Sequence, residues 1–108
     1  MFNQELKTFI KEQFERLKKY YNHDNPKIIS LAGAVKLTEE VGELCTEILA
    51  QNKLIRKEKL KNHNKKTLEE ELVDVLITTL ILAHSMDLNL EKTLKEKMKI
   101  VAKRYSSA

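Results

Sequence analysis

At 108 residues the chain has room for one domain with a real core, spanning 1-108, and no room for a separate regulatory module. Two glycines, one proline, three Tyr and three Phe in a sequence that is 33% charged exclude a turn-rich β protein and point to an all-α fold. The formal charge of +4 arises from 20 basic and 16 acidic residues, with a basic cluster between Lys53 and Lys66, and such runs are ordinarily solvated faces, so charge alone selects no partner.

The opening residues show no basic-then-apolar leader, because Asn3, Gln4, Glu5 and Lys7 interrupt the first apolar positions. Phe2, Leu6, Phe9, Ile10, Phe14, Leu17 and Tyr21 then recur at three- and four-residue steps, which predicts an amphipathic first helix. It ends at Asn22 to Pro26. Either Asn25 caps the second helix with Pro26 in its first position, or Ser30 is the cap and Pro26 lies in a loop. That helix carries Leu31, Val35, Leu37, Val41, Leu44 and Ile48 and stops between Gln51 and Ile55. Gly42 inside it costs about 1 kcal/mol relative to alanine, which a close helix contact or a ligand would offset. Cys45 is the only cysteine, so no intrachain disulfide forms; it reads as a small buried residue and agrees with a reducing cytoplasm.

A polar, lysine-rich segment from Arg56 to Lys66 reads as a loop. Thr67 and Glu70 have capping-box spacing and predict the start of a third helix, apolar on nearly every side from Leu68 to Ala83. The stretch from Leu72 to Met86 contains Asp74 and His84 and is shorter than the ~20 residues a membrane span requires. A helix of this kind is buried in a bundle or shared with a second subunit. Asp87 to Asn89 interrupts it, and Asn89 caps a last helix from Leu90 to about Arg104 with a narrow apolar stripe at Leu90, Leu94, Met98, Val101 and Tyr105. The expected architecture is a four-helix bundle with helix three central, completed as a homodimer or homotetramer.

Carboxylates are the anomaly. Glu39, Glu40 and Glu43 flank Val41 on helix two, and Glu71 and Asp74 intrude on the apolar run of helix three. Residues three apart share a helix face, so two such helices packed antiparallel would point Glu40, Glu43, Glu71 and Asp74 into one space. Burying even one unpaired carboxylate costs several kcal/mol, and four together need a cation. Magnesium suits them, because a small hard dication takes oxygen ligands and keeps waters that phosphate oxygens can replace. Surface pairing with Lys36 or Lys53 accounts equally well for the glutamates alone, but not for Asp74 between Val73 and Val75. A di-iron bundle would need Glu-x-x-His, and none of His23, His63 and His84 has a glutamate three residues before it. His84 reads as a hydrogen-bonded core or interface residue rather than a zinc ligand.

The run Glu39-Glu40-Val41-Gly42-Glu43-Leu44, followed by Glu71-Leu72-Val73-Asp74, resembles the EExxE…ExxD pattern of the MazG-like all-α pyrophosphohydrolase superfamily. The likeness extends from about Lys36 to Lys103-Arg104-Tyr105. It implies magnesium-dependent cleavage of a nucleoside triphosphate between its α and β phosphates, with manganese able to substitute, and a role in clearing noncanonical nucleotides. By position it implies Glu40, Glu43, Glu71 and Asp74 as metal ligands and Glu39 as a further ligand or the base acting on water. Lys53, Lys97, Lys103 and Arg104 become candidate phosphate partners. Aromatics of dCTP-preferring relatives are replaced here by Ala50 and Thr78, and an asparagine common near the last helix by Val101, so no base is assigned. Dimeric dUTPases and phosphoribosyl-ATP pyrophosphatases share the superfamily. The alternative, a noncatalytic helical adaptor or nucleic-acid-binding module using the basic patch, explains the charge but not Asp74.

Overall fold

The computed structural model describes residues 1–22, 24–53 and 63–106. Four helices follow one another: α1 (Gln4–Tyr20), α2 (Pro26–Gln51), α3 (Lys65–Ser85) and α4 (Leu90–Ser106), with no strand among the described residues. The lysine-rich segment between Lys53 and His63 and His23 lie outside the described residues.

Side-chain caps set the helix starts. Asn3 accepts the Leu6 amide at 2.9 Å, Asn25 accepts the Lys27 amide at 3.0 Å, and Asn89 accepts the Lys92 amide at 3.1 Å. Pro26 therefore occupies the first turn of α2, where its missing N–H costs nothing. Ser30, the other candidate cap, donates instead to the Pro26 carbonyl at 2.7 Å. The start of α3 differs from the sequence expectation. Its capping box is Asn64 with Thr67, not Thr67 with Glu70: the Thr67 amide donates to Asn64 Oδ1 at 3.0 Å, and the Asn64 amide donates to Thr67 Oγ1 at 2.8 Å. Asparagine is the stronger cap, and it lets Lys65 and Lys66 join the helix.

Helices α2 and α3 pack antiparallel over their length and form the main contact of the fold, with α1 laid against α3, so α3 is central. Two polar links mark the ends of the α2–α3 pair: Ser30 Oγ lies 3.1 Å from Ser85 Oγ, and Gln51 Nε2 donates to the Asn64 carbonyl at 2.6 Å. Between them Gly33 permits close approach, since a Cβ there would meet Leu82 Cδ1 at 3.1 Å. Gly42 does not serve that purpose; among the described residues, its own chain neighbours and helix backbone aside, nothing lies within 4 Å of where its Cβ would be. Ile10, Ile29, Leu80 and Ala83 are buried near the Ser30–Ser85 end.

Helix α3 is less enclosed than its composition predicts: Leu72, Val73 and Leu76 remain about half exposed. Helix α4 is held at its start, where Lys7 Nζ lies 3.4 Å from Glu91, but packs along none of the other three helices. Its predicted stripe at Leu94, Met98, Val101 and Tyr105 therefore faces outward. Cys45 is exposed rather than buried, because it lies on the face of α2 turned away from α3. His84 is also exposed and makes an edge contact with Phe14, ring centroids 5.0 Å apart, in place of a core hydrogen bond. No helix among the described residues is long and apolar enough to cross a membrane.

Candidate metal centre

Positions 40, 43 and 47 fall on one side of α2, and that side faces α3. Glu40 and Glu47 are buried there, at 6% and 5% exposure, and Glu43 lies at the rim. Glu71 reaches the same space from α3. One carboxylate oxygen from each of Glu40, Glu43 and Glu71 lies within 4.8 Å of the others. Of the four ligands read from sequence, the structure thus gathers three. Asp74 stands one turn further along α3 with its side chain in solvent, outside that trio but near enough for its charge to act on Glu71. The apolar setting expected around it is open on this side, as its neighbours Val73 and Leu76 show.

Electrostatics separate Glu47 from the others. Burial alone would raise its pKa, but hydrogen bonds from His63, Gln51 and Thr67 outweigh burial and hold it below the usual carboxylate range. His63 Nδ1 is 2.9 Å from both oxygens of Glu47, and Gln51 Nε2 is 3.5 Å from one of them. Glu47 is therefore a satisfied buried anion that joins the end of α2 to the cap of α3. Glu71 is the opposite case: burial raises its pKa, and the charges of Glu43, Asp74, Glu40 and Glu47 raise it further. One oxygen of Glu71 and one of Glu40 are buried with no hydrogen-bond partner. Orphaned buried acceptors of this kind are rare and call for a ligand.

A hard dication fits this donor set. All ligand atoms are carboxylate oxygens, two are otherwise unsatisfied, and Glu43 at the rim keeps one side open to water or phosphate. Lys36 is the cation nearest at hand, its Nζ 3.0 Å from Glu40 Oε1 and 4.0 Å from Glu39. The pairing weighed from sequence thus exists, yet it satisfies only one oxygen of Glu40.

Lys36 and Glu39 also line a cleft of about 430 Å³ between α1, α2 and α3, together with Arg16, Tyr20, Tyr21 and Thr78. Its volume is within the range of small-molecule sites. Neither this cleft nor a wider groove of about 970 Å³ between α1 and the α3–α4 junction is lined by Glu40, Glu43 or Glu71, but the cleft reaches Lys36 and Glu39 beside them. The basic residues expected at phosphate are not assembled around the acids within one chain. Lys53 follows α2, about 15 Å along the helix axis from Glu43, and Lys97, Lys103 and Arg104 lie on the outlying α4. Glu47 and His63 had no assigned role in the sequence reading, and Lys36 entered it only as a surface partner of the glutamates. The signal for Glu47 was there, since 40, 43 and 47 continue one helical face; that for His63 was not, because its partner is sixteen residues away.

The family model described as "MazG-like family" matches residues 34–108, which includes both acidic pairs and the whole of α3 and α4. Over 62 residues, 57% of this chain, the sequence is 40% identical to "Uncharacterized protein YpjD" of Bacillus subtilis (strain 168). The matched segment spans 54% of that relative, about half its length. No solved structure matches the chain.

Proposed function

Because this chain belongs to the MazG-like family, we propose that it is a nucleoside triphosphate pyrophosphohydrolase, releasing pyrophosphate and a nucleoside monophosphate. The single observation that carries the reading is the pair of orphaned, buried carboxylate oxygens on Glu40 and Glu71, set across from each other with Glu43 beside them. In this reading Glu40, Glu43 and Glu71 hold magnesium, or manganese in its place, and Asp74 completes the set from the rim. The metal, when bound, neutralises phosphate charge and lowers the pKa of water. Glu39, exposed beside the cleft, accepts the proton of the attacking water. The nucleoside lies in the 430 Å³ cleft, against Tyr20, Tyr21 and Thr78, with its phosphates toward the carboxylates.

The test is pyrophosphate release across canonical and modified nucleoside triphosphates, with magnesium and with chelator, beside a Glu43→Gln control. Turnover that needs magnesium and is lost in the control supports the reading and ranks the bases. A folded protein that turns over none of them sinks it.

We also place the protein in the cytoplasm as a homodimer or homotetramer, with neither membrane nor nucleic acid as partner. Support for assembly comes from surface. The chain exposes 8592 Å², against roughly 6,200 Å² for a compact protein of its mass. Leu31, Val35, Leu72, Leu76 and Met98 are each more than half exposed. Large apolar side chains left this exposed are what contact with a second copy would cover. Light scattering at micromolar concentration is expected to give two or four times the chain mass; monomer alone would refute the assembly. A second copy would also decide whether Lys97, Lys103 or Arg104 reaches a phosphate.

A further inference from the structure

Lys36 stands where the acidic pattern does not require a residue of either sign. It lies one turn before Glu40 on α2, and its Nζ is 3.0 Å from Glu40 Oε1. Hydrogen bonding to Glu40 and its charge, with lesser help from Glu39 and Glu43, raise its pKa against the opposing effect of burial, so the ammonium stays charged at neutral pH. Its ammonium is ion-paired with a carboxylate of the cluster. Its side chain is 57% exposed, so only the carboxylates hold its head group in place. The same side chain lines the cleft between α1, α2 and α3. Glu40 is almost fully buried, and its second oxygen has no partner. Lys36 therefore neutralises Glu40 in part from Oε1, and leaves the orphaned Oε2 for a dication.

A dication on Glu40 and an ammonium 3.0 Å from it repel, whereas a polyphosphate entering from the cleft attracts both. The geometry points to Lys36 as a polyphosphate-binding residue that rests on Glu40 until substrate arrives and then turns into the cleft to pair with a phosphate oxygen. The inference rests on the nucleotide reading above and adds to it one residue and one exchange of partners. It also accounts for a lysine so close to a site that favours cations. As a counter-ion alone it would weaken metal binding; as a phosphate partner it is carried at that cost because it is needed later in the binding sequence. Lysine suits the task, since a point charge on a flexible stem can serve two positions in turn.

Opposite effects on two ligands distinguish this role from a structural one. Manganese binding without nucleotide is measured by electron paramagnetic resonance, and inorganic tripolyphosphate binding in saturating magnesium by calorimetry, for the full chain and for Lys36→Gln and Lys36→Arg. Lys36→Gln is expected to bind manganese roughly threefold or more tighter and tripolyphosphate about tenfold weaker, while Lys36→Arg keeps most of the tripolyphosphate affinity. Lys36→Gln that weakens both ligands together, or leaves tripolyphosphate unchanged while the parent binds it, overturns the role of Lys36 and leaves the nucleotide reading intact. A parent protein that takes up neither ligand overturns both.

Discussion

Glu71→Gln is expected to melt higher than the parent protein in chelator and to lose the proposed turnover. The gain comes from removing a charge that the chain does not compensate: burial and the fields of Glu43, Asp74, Glu40 and Glu47 all press Glu71 toward its protonated form. Relief of that burden is worth about 1–2 kcal/mol, or several degrees in the melting temperature of a domain this size. The loss of turnover follows from removing one of three gathered ligands, and metal assistance worth several kcal/mol corresponds to roughly a thousandfold in rate. If the carboxylates hold magnesium as proposed, added magnesium should raise the melting temperature of the parent and leave the variant nearly unmoved, because only the parent keeps all three carboxylates. The pH dependence has a definite sign. With its folded pKa above the unfolded value, Glu71 favours the folded state at low pH, and that contribution disappears as pH rises through the folded pKa. In chelator, then, the parent loses stability on this account above the ordinary carboxylate range. Calorimetric melts of both proteins, with chelator and with magnesium, decide the matter; a variant that melts lower in chelator would mean that Glu71 carries no such burden.

His63→Ala produces the largest loss of stability. It leaves Glu47 buried without its strongest partner, and breaking a buried pair from one side costs roughly 3–5 kcal/mol, less here because Gln51 and Thr67 still donate. We expect about 2–3 kcal/mol, read as a lower urea midpoint, and recovery of part of it in the double variant Glu47→Gln/His63→Ala. The acid limb runs opposite to that of Glu71. The folded pKa of Glu47 is lowered, so its contribution is present above the unfolded value and lost as pH falls through the folded one. Urea midpoints followed from neutral to acid pH should fall more steeply for the parent than for Glu47→Gln. Equal slopes would show that Glu47 is not an ionised, stabilised group.

Opposite signs on Glu47 and Glu71 show where sequence reading succeeds and where it stops. Spacing placed Glu40 and Glu43 on one face of a helix and Glu71 on its neighbour, because helical periodicity is a local property. Whether each carboxylate is compensated depends on what the fold brings opposite it. Glu47 has His63 and the cap of α3, whereas Glu40 and Glu71 keep an orphaned oxygen each, and neither outcome is visible in a window of sequence. Asp74 shows the limit from the other side: its apolar neighbours on α3 suggested burial, but Val73, Leu72 and Leu76 are themselves about half exposed in the single chain. Composition reports how much apolar surface must be covered and not which molecule covers it. Cys45 follows the same rule, since a small residue on the outer face of α2 has nothing to bury it. The helix count, the Asn25–Pro26 start and the Asn89 cap were legible because capping chemistry is written into adjacent residues. The start of α3 was misplaced by three residues because Asn64 and Thr67 each suit a cap, and the choice fell to the Gln51 link that holds the Asn64 carbonyl.

That link and its counterpart at the other end, Ser30 to Ser85, tie α2 to α3 outside the carboxylates on both sides. The gap between Glu40 and Glu71 is thus spanned between two fixed points and does not collapse or widen freely around whatever enters it. If the three carboxylates hold a dication, as proposed, ion preference becomes a matter of radius: a gap set between two ties favours the ion whose oxygen distances it already matches, and a larger ion must stretch those ties before all three carboxylates can reach it.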